Sequence, residues 1–153
     1  LFKKQYNPLS PMKISTFLTF VGDNCGKATE AINFYTSIFP NSEVKRIVNY
    51  AEGEPGGTPD LIKFGFFILN GTEYQVSESN YKHNWSFTPG VSLFINSESE
   101  DQIEILYEKL SAEGDQVMVP LDNYAGDGDY GFGEKFGWCE DKYGVSWQLV
   151  LLR

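Results

Sequence analysis

The spacing of apolar residues changes period twice along this chain, in the same order each time. Residues 13–21, KISTFLTFV, mix β-branched and aromatic residues with polar ones at strand spacing. A polar turn, GDNCGK, follows. Over 28–39 the period lengthens: Ala28, Ala31, Ile32, Tyr35 and Ile38 recur every three or four residues, forming one apolar helix face that Pro40-Asn41 ends. Residues 42–50 and 61–70 read as strands around a Gly- and Pro-rich loop. Asn70-Gly71 then turns the chain back into a strand over 72–79.

The second half repeats this order. Residues 90–96 read as a strand. Ser97 and Glu100 have capping-box spacing for a helix whose apolar face is Ile103, Leu106, Tyr107 and Leu110, with Gly114 as its stop. Residues 115–120, 134–141 and 145–152 read as three strands, with a glycine-rich loop before the second and a turn at 142–144 before the third. Two strands nearly copy each other. Gly71-Thr72-Glu73-Tyr74-Gln75-Val76 and Gly144-Val145-Ser146-Trp147-Gln148-Leu149 share a glycine, an aromatic, a glutamine and an aliphatic, the glutamines standing 73 residues apart. The helices overlay as well, Phe34-Tyr35 on Leu106-Tyr107. Neither half could bury the apolar face of its short sheet alone, and paired they share it. The expected fold is therefore α+β: two pseudo-symmetric βαβββ modules, about 12–80 and 88–152, forming curved mixed sheets around a cavity in one domain over 12–152. Residues 1–11 lack periodicity and read as an N-terminal extension or an expression remnant.

Alternation along the strands assigns the faces. Leu18 and Phe20, Tyr74 and Val76, Val91, Leu93 and Ile95, and Val145, Trp147, Leu149 and Leu151 belong beneath the helices. The opposite faces carry Ser15, Phe17 and Thr19; Glu73, Gln75 and Ser77; Gly90, Ser92 and Phe94; and Ser146, Gln148 and Val150. An apolar hollow with a few polar groups is how small-molecule sites are built, so Phe17, Thr19, Gln75, Ser92, Phe94 and Gln148 are the candidate ligand contacts. Each glutamine could instead serve only to hydrogen-bond a neighbouring strand.

Charge and cysteines narrow the partners. The formal charge is −9, with 12 basic residues scattered among 21 acidic ones, so neither nucleic acid nor an anionic membrane surface is expected. No apolar run approaches a membrane span. Cys25 and Cys139 have no metal or disulfide spacing and read as reduced thiols of a cytoplasmic protein. Glu140 and Asp141 beside Cys139 should raise its pKa and keep it unreactive. His83, the single histidine, lies in the loop SNYKHNWSF, either as a solvated group or as a site residue. Gly126, Gly128 and Gly131 match G-x-G-x-x-G, but Asp127 and Asp129 would repel a pyrophosphate and no helix follows. That stretch reads as a lid or edge loop, with loose calcium binding near Glu134 as the other reading.

The segments EAINFYTSIFPNS and FGWCEDKYGVSWQLV, with the doubled βαβββ plan, resemble the PhnB-like branch of the vicinal oxygen chelate superfamily. That superfamily includes glyoxalase I, bleomycin-resistance proteins and extradiol dioxygenases. The branch is often labelled a demethylubiquinone methyltransferase. The resemblance spans 12–152 and implies a homodimer. Metal-binding members hold a divalent ion on the first and last strands of each module, which here fall on or near Ser15, Gln75, Gly90 and Gln148. None of these is a histidine or carboxylate, so neither a catalytic metal nor another cofactor is expected, and a small organic ligand is the expected partner. The competing readings are a metal-dependent enzyme using Glu73 or His83, and a purely structural or regulatory partner protein.

Overall fold

A computed structural model describes residues 4–124 and 133–152. Its elements are β1 (Thr16–Phe20), a 3-10 turn (Gly22–Asn24), α1 (Ala28–Ile38), β2 (Glu43–Asn49), β3 (Ile62–Leu69), β4 (Thr72–Glu78), β5 (Ser92–Ser97), α2 (Glu100–Ser111), β6 (Val117–Asp122), β7 (Lys135–Glu140) and β8 (Ser146–Leu151). The strands form two sheets, β1-β4-β3-β2 and β5-β8-β7-β6. In each sheet the first and last strands of the module pair in parallel and the others antiparallel. The two βαβββ modules expected from the sequence are present.

The β3–β4 hairpin shows how local sequence sets register. Asn70 and Gly71 both adopt left-handed backbone, φ 46° and 79°. Two such residues make the turn whose twist matches that of paired strands. It aligns Leu69 with Thr72, and from there Phe66 with Gln75.

One core serves both modules. Ala28, Ala31, Ile32 and Tyr35 of α1 and Ile103, Leu106 and Leu110 of α2 join the buried faces of both sheets in a single cluster. The Tyr35 ring lies 5.3 Å from Trp147 and 6.1 Å from Tyr143, and Phe39 stacks on Trp147 at 5.4 Å. The helix of the first module thus packs on the last strand of the second.

Two buried carboxylates organise the chain around this core. Glu78, 1% exposed, accepts hydrogen bonds from the backbone N–H groups of Gly26, Ala28 and Ile62 at 2.7, 3.2 and 2.8 Å. It fastens the entrance of α1 and the start of β3 to the end of β4. Asp141, also 1% exposed, accepts from Tyr143 N (2.9 Å) and Val145 N (3.1 Å) through Oδ1, and from Tyr35 Oη (2.5 Å) and Trp147 Nε1 (2.8 Å) through Oδ2. Burial pushes its carboxyl pKa up, against the hydrogen bonds that favour the charged form.

Several expectations are corrected. The cap of α2 is Ser99, whose hydroxyl accepts from Gln102 N, while Ser97 Oγ bonds Gln102 Oε1 instead. The Ser97–Glu100 box is displaced because β5 runs on through Ser97, and Ser99-x-x-Gln102 offers the same spacing. Gly114 is needed for proximity rather than for a left-handed cap. A Cβ there would lie 1.9 Å from the Glu140 carbonyl oxygen. Val91 precedes β5 and is 76% exposed, not packed. The glycine-rich match at 126–131 lies outside the described residues.

Candidate functional site

Register places each glutamine in the middle of an aromatic row. Side chains directly opposite one another on paired strands share a face. Gln75 stands between Phe17 of β1 and Phe66 of β3. Gln148 stands between Phe94 of β5 and Trp138 of β7. Phe17 and Phe94 are 47% and 43% exposed, so the face away from the helices remains open. Phe64 and Phe66 meet edge to face at 4.6 Å and widen the apolar floor of the first module.

Each glutamine also pairs with a serine on the parallel neighbour. Gln75 Nε2 donates to Ser15 Oγ at 3.2 Å, and Gln148 Nε2 donates to Ser92 Oγ at 3.1 Å. Both serines lie two residues before the phenylalanine of their row. In the second module the network continues, with Ser92 Oγ 2.7 Å from Ser146 Oγ and Trp138 Nε1 donating to Ser146 Oγ at 2.8 Å. Gln148 therefore has Ser92 as its partner, not Gly90, which lies before β5 begins.

The six candidate residues divide three and three. Phe17, Thr19 and Gln75 share one sheet, with Thr19 opposite Ser77. Ser92, Phe94 and Gln148 share the other. A hollow of about 260 Å³ lies at the junction of the modules, lined by Thr16, Phe17 and Leu18 from β1, Phe87 and Val91 from the linker, and Leu93, Val145 and Ser146 from the second module. Of the six, Phe17 reaches this hollow. Phe94 lines a smaller one of about 150 Å³ with Tyr74, Leu93 and Trp147. Thr19, Gln75, Ser92 and Gln148 line neither and sit on the open faces instead.

The expected metal positions, Ser15, Gln75, Gly90 and Gln148, hold one hydroxyl, two amides and a glycine with no side-chain donor, and the amides are bonded to Ser15 and to Ser92. They carry no charge, and such a donor set does not fit a divalent cation. Among the described residues, no group of three His, Cys, Asp or Glu side chains converges. Glu73 is engaged by Lys13 at 3.1 Å. His83 lies 3.2 Å from Ser79 Oγ and its ring is 4.6 Å from Trp85, in a groove with Asn24 and Lys27 rather than in either aromatic row. The N-terminus of α1, a natural anion site, is filled by Glu78. Cys139 is buried, and its thiol is pushed up to about 12, first by burial and then by Asp141 and Glu140. It is not a nucleophile.

The long motif of the second module splits by face. Asp141, Tyr143, Gly144 and Trp147 build the turn and the core, with Gly144 left-handed at φ 81°. Trp138, Ser146 and Gln148 form the open-face network. Sequence reading missed Phe66 as a site residue and left Ser15 and Ser146 without partners. The signal existed, since a two-residue turn at Asn70-Gly71 fixes Phe66 opposite Gln75.

Comparison with known proteins follows the same lines. The family model for 3-demethylubiquinone-9 3-methyltransferase matches residues 12–150. A PhnB protein from Bacillus cereus is 43% identical, superposes with a TM-score of 0.78, and the match covers 91% of this chain and 99% of that one. A protein from Pseudomonas aeruginosa, 20% identical, has a TM-score of 0.73 over 94% of this chain and all of its own. A glyoxalase/bleomycin resistance protein/dioxygenase domain from Frankia, 16% identical, shares the fold at a TM-score of 0.57, over 94% of this chain and 100% of its own. Among curated proteins, none matches.

Proposed function

This chain belongs to the PhnB-like, 3-demethylubiquinone-9 3-methyltransferase family, and from that premise we propose that it binds a small organic molecule on its sheet faces without a catalytic metal. The observation that carries the reading is the twin arrangement of a serine–glutamine pair between two aromatic rings, Phe17 and Phe66 in one module and Phe94 and Trp138 in the other. Apolar walls with a few fixed hydrogen-bonding groups are the usual make-up of a ligand site. The family's methyl-transfer label draws no support from the side chains described. The chain offers no strand–glycine loop–helix cradle among those residues, and α1 opens onto its own carboxylate.

We further propose a homodimer, cytoplasmic in location. Half-exposed Phe17 and Phe94 on the open faces support a covering partner copy. Two unpaired cysteines suit a reducing compartment. No helix among the described residues is long and apolar enough to cross a membrane.

The test is a thermal-shift screen of small aromatic, amide and acid compounds, run beside elemental analysis of protein purified without chelator. Stabilisation by an organic compound in metal-free protein is expected, and it should fall when Gln75 and Gln148 are both replaced by Leu. A stoichiometric divalent metal that is lost with the same two substitutions would refute the reading in favour of a metalloenzyme. Sedimentation at several concentrations checks the dimer.

A further inference from the structure

The hollow of about 260 Å³ at the module junction differs in chemistry from the other concave surfaces. Charged residues make up 22% of the chain, yet among the described residues lining this hollow none is charged. The groove at His83, by contrast, is lined by Asp23, Lys27, Asp115 and Lys142 as well. The polar residues of the hollow are Thr16, Ser86, Thr88 and Ser146, whose side chains bring hydroxyl groups alone.

Its two ends are unlike. Leu18, Val145 and Ser146 are buried, and Leu18 and Val145 belong to the shared core, so the floor is set into that core. Ser146 is already engaged there, since its Oγ accepts the Trp138 N–H and lies 2.7 Å from Ser92 Oγ. The floor therefore requires no hydrogen bond from an occupant. Phe17, Ser86, Thr88 and Val91 are exposed and form the rim. The linker wall is held in place. Phe87 meets Phe20 edge to face at 5.1 Å. The Thr88 carbonyl accepts from Val91 N, and the Thr88 hydroxyl accepts from Gly90 N, a turn that Pro89 at its second position favours. A second copy on the open faces would reach Phe17 at the rim but not the buried floor.

Going beyond the sheet-face site above, we infer that this hollow is a second binding site, for an uncharged, mainly apolar molecule of one substituted ring seated ring first. An ion here would lose water without meeting an opposite charge, and burial of an unpaired charge is strongly unfavourable. An apolar cavity of about 150 Å³ holds benzene, so one of about 260 Å³ has room for a ring with a short substituent. The substituent then lies at the rim, where the Thr88 O–H can donate to a carbonyl or ether oxygen.

Acetophenone, benzoate and benzylammonium share a ring and a short substituent and differ in charge. Each is titrated into the intact protein while the side-chain methyl signals are followed by NMR. Acetophenone is expected to shift the methyls of Leu18, Leu93 and Val145 saturably, and both ions to bind at least about tenfold more weakly. Val91→Trp, at a rim position that is 76% exposed, should block the mouth and weaken acetophenone about tenfold, with the rest of the spectrum unchanged. Val91→Lys, which sets a cation at the rim, should narrow the gap for benzoate. Equal binding of the three probes, or tighter binding by either ion, overturns the uncharged class. Acetophenone shifts that survive Val91→Trp, or that fall only on the Gln75 and Gln148 side-chain amides, overturn the hollow and leave the sheet-face reading in place. No saturable shift of these methyls by any probe overturns the second site.

Discussion

The last strand of the first module runs Gln75, Val76, Ser77, Glu78, and that of the second runs Gln148, Leu149, Val150, Leu151. The glutamines hold matching places, each opposite a phenylalanine and bonded to a serine two residues before it. Three residues further on, the modules part. Glu78 is a buried carboxylate that ties together pieces of its own module, whereas Leu151 is buried among apolar neighbours. The buried carboxylate of the second module is Asp141, in a turn, and it reaches across to Tyr35 of the first. The polar groups inside the two modules differ, yet those on the open faces coincide. Modules of one fold thus carry different internal anchors but the same open-face pairs. Their recurrence is what an aromatic, amide-bearing surface used twice would produce.

Asp141→Ala is the largest break in this comparison. It leaves four donors without their acceptor, three of them in the junction turn and Trp147, and one on α1. A loss of about 4 kcal/mol is expected in urea unfolding. A loss under about 1 kcal/mol would show that Tyr35 and the turn are held by packing alone. Gly114→Ala comes next, at about 2–3 kcal/mol, because its Cβ would collide with the Glu140 backbone. By contrast, Gly71→Ala meets no atom and suffers only left-handed strain at φ 79°, about 1 kcal/mol. Equal costs would erase the contrast between a turn fixed by contact and one fixed by dihedral angle. Glu78→Gln, which keeps the shape but sets an NH₂ against the N–H groups of its site, should cost about 2 kcal/mol and leave the Tyr35–Asp141 bond intact.

The plan of the fold was legible because period and turn chemistry are local. The switch from two-residue to helical spacing marked α1 and α2, and Asn70-Gly71 fixed a hairpin. The six candidate residues followed from alternation, and register sets Phe17 beside Gln75 and Phe94 beside Gln148. Their gathering was not legible. Which serine meets which glutamine depends on the parallel pairings β1–β4 and β5–β8, which join strands 60 and 56 residues apart at the bonded pairs. No local rule sets that register, and the two hollows depend on how the modules pack. Asp141 was read as a neighbour that raises the Cys139 pKa, which it does, but its four hydrogen bonds come from groups whose convergence only the fold creates.

Cys139 offers a pH-dependent sharpening. Its folded thiol pKa of about 12 exceeds the ordinary value near 8.5, so the folded state holds the proton longer. Its contribution to stability is complete below about pH 8.5 and is lost as pH rises through about 12. Stability should fall by about 2 kcal/mol by pH 10 on this account. Cys139→Ala should flatten that limb relative to wild type in urea titrations at pH 8 and pH 10. An unchanged slope would assign the alkaline loss to other groups.

The smallest effect is expected where the modules agree. Phe17 and Phe94 are each about half exposed and occupy equivalent places, so truncation removes little buried area in a single chain. Phe17→Ala and Phe94→Ala should each cost about 0.5–1 kcal/mol at high dilution, far below the 3–5 kcal/mol of a core phenylalanine. They should also agree within about 0.5 kcal/mol. At higher concentration both should weaken the dimer in sedimentation, because a second copy covering these faces would bury the rings fully. A core-sized loss in the monomer would mean that the open faces help hold the fold, and the case for reading them as ligand surfaces would fail with it. A large loss for one phenylalanine alone would break the equivalence of the modules and leave a single functional face, with the other retained as structure.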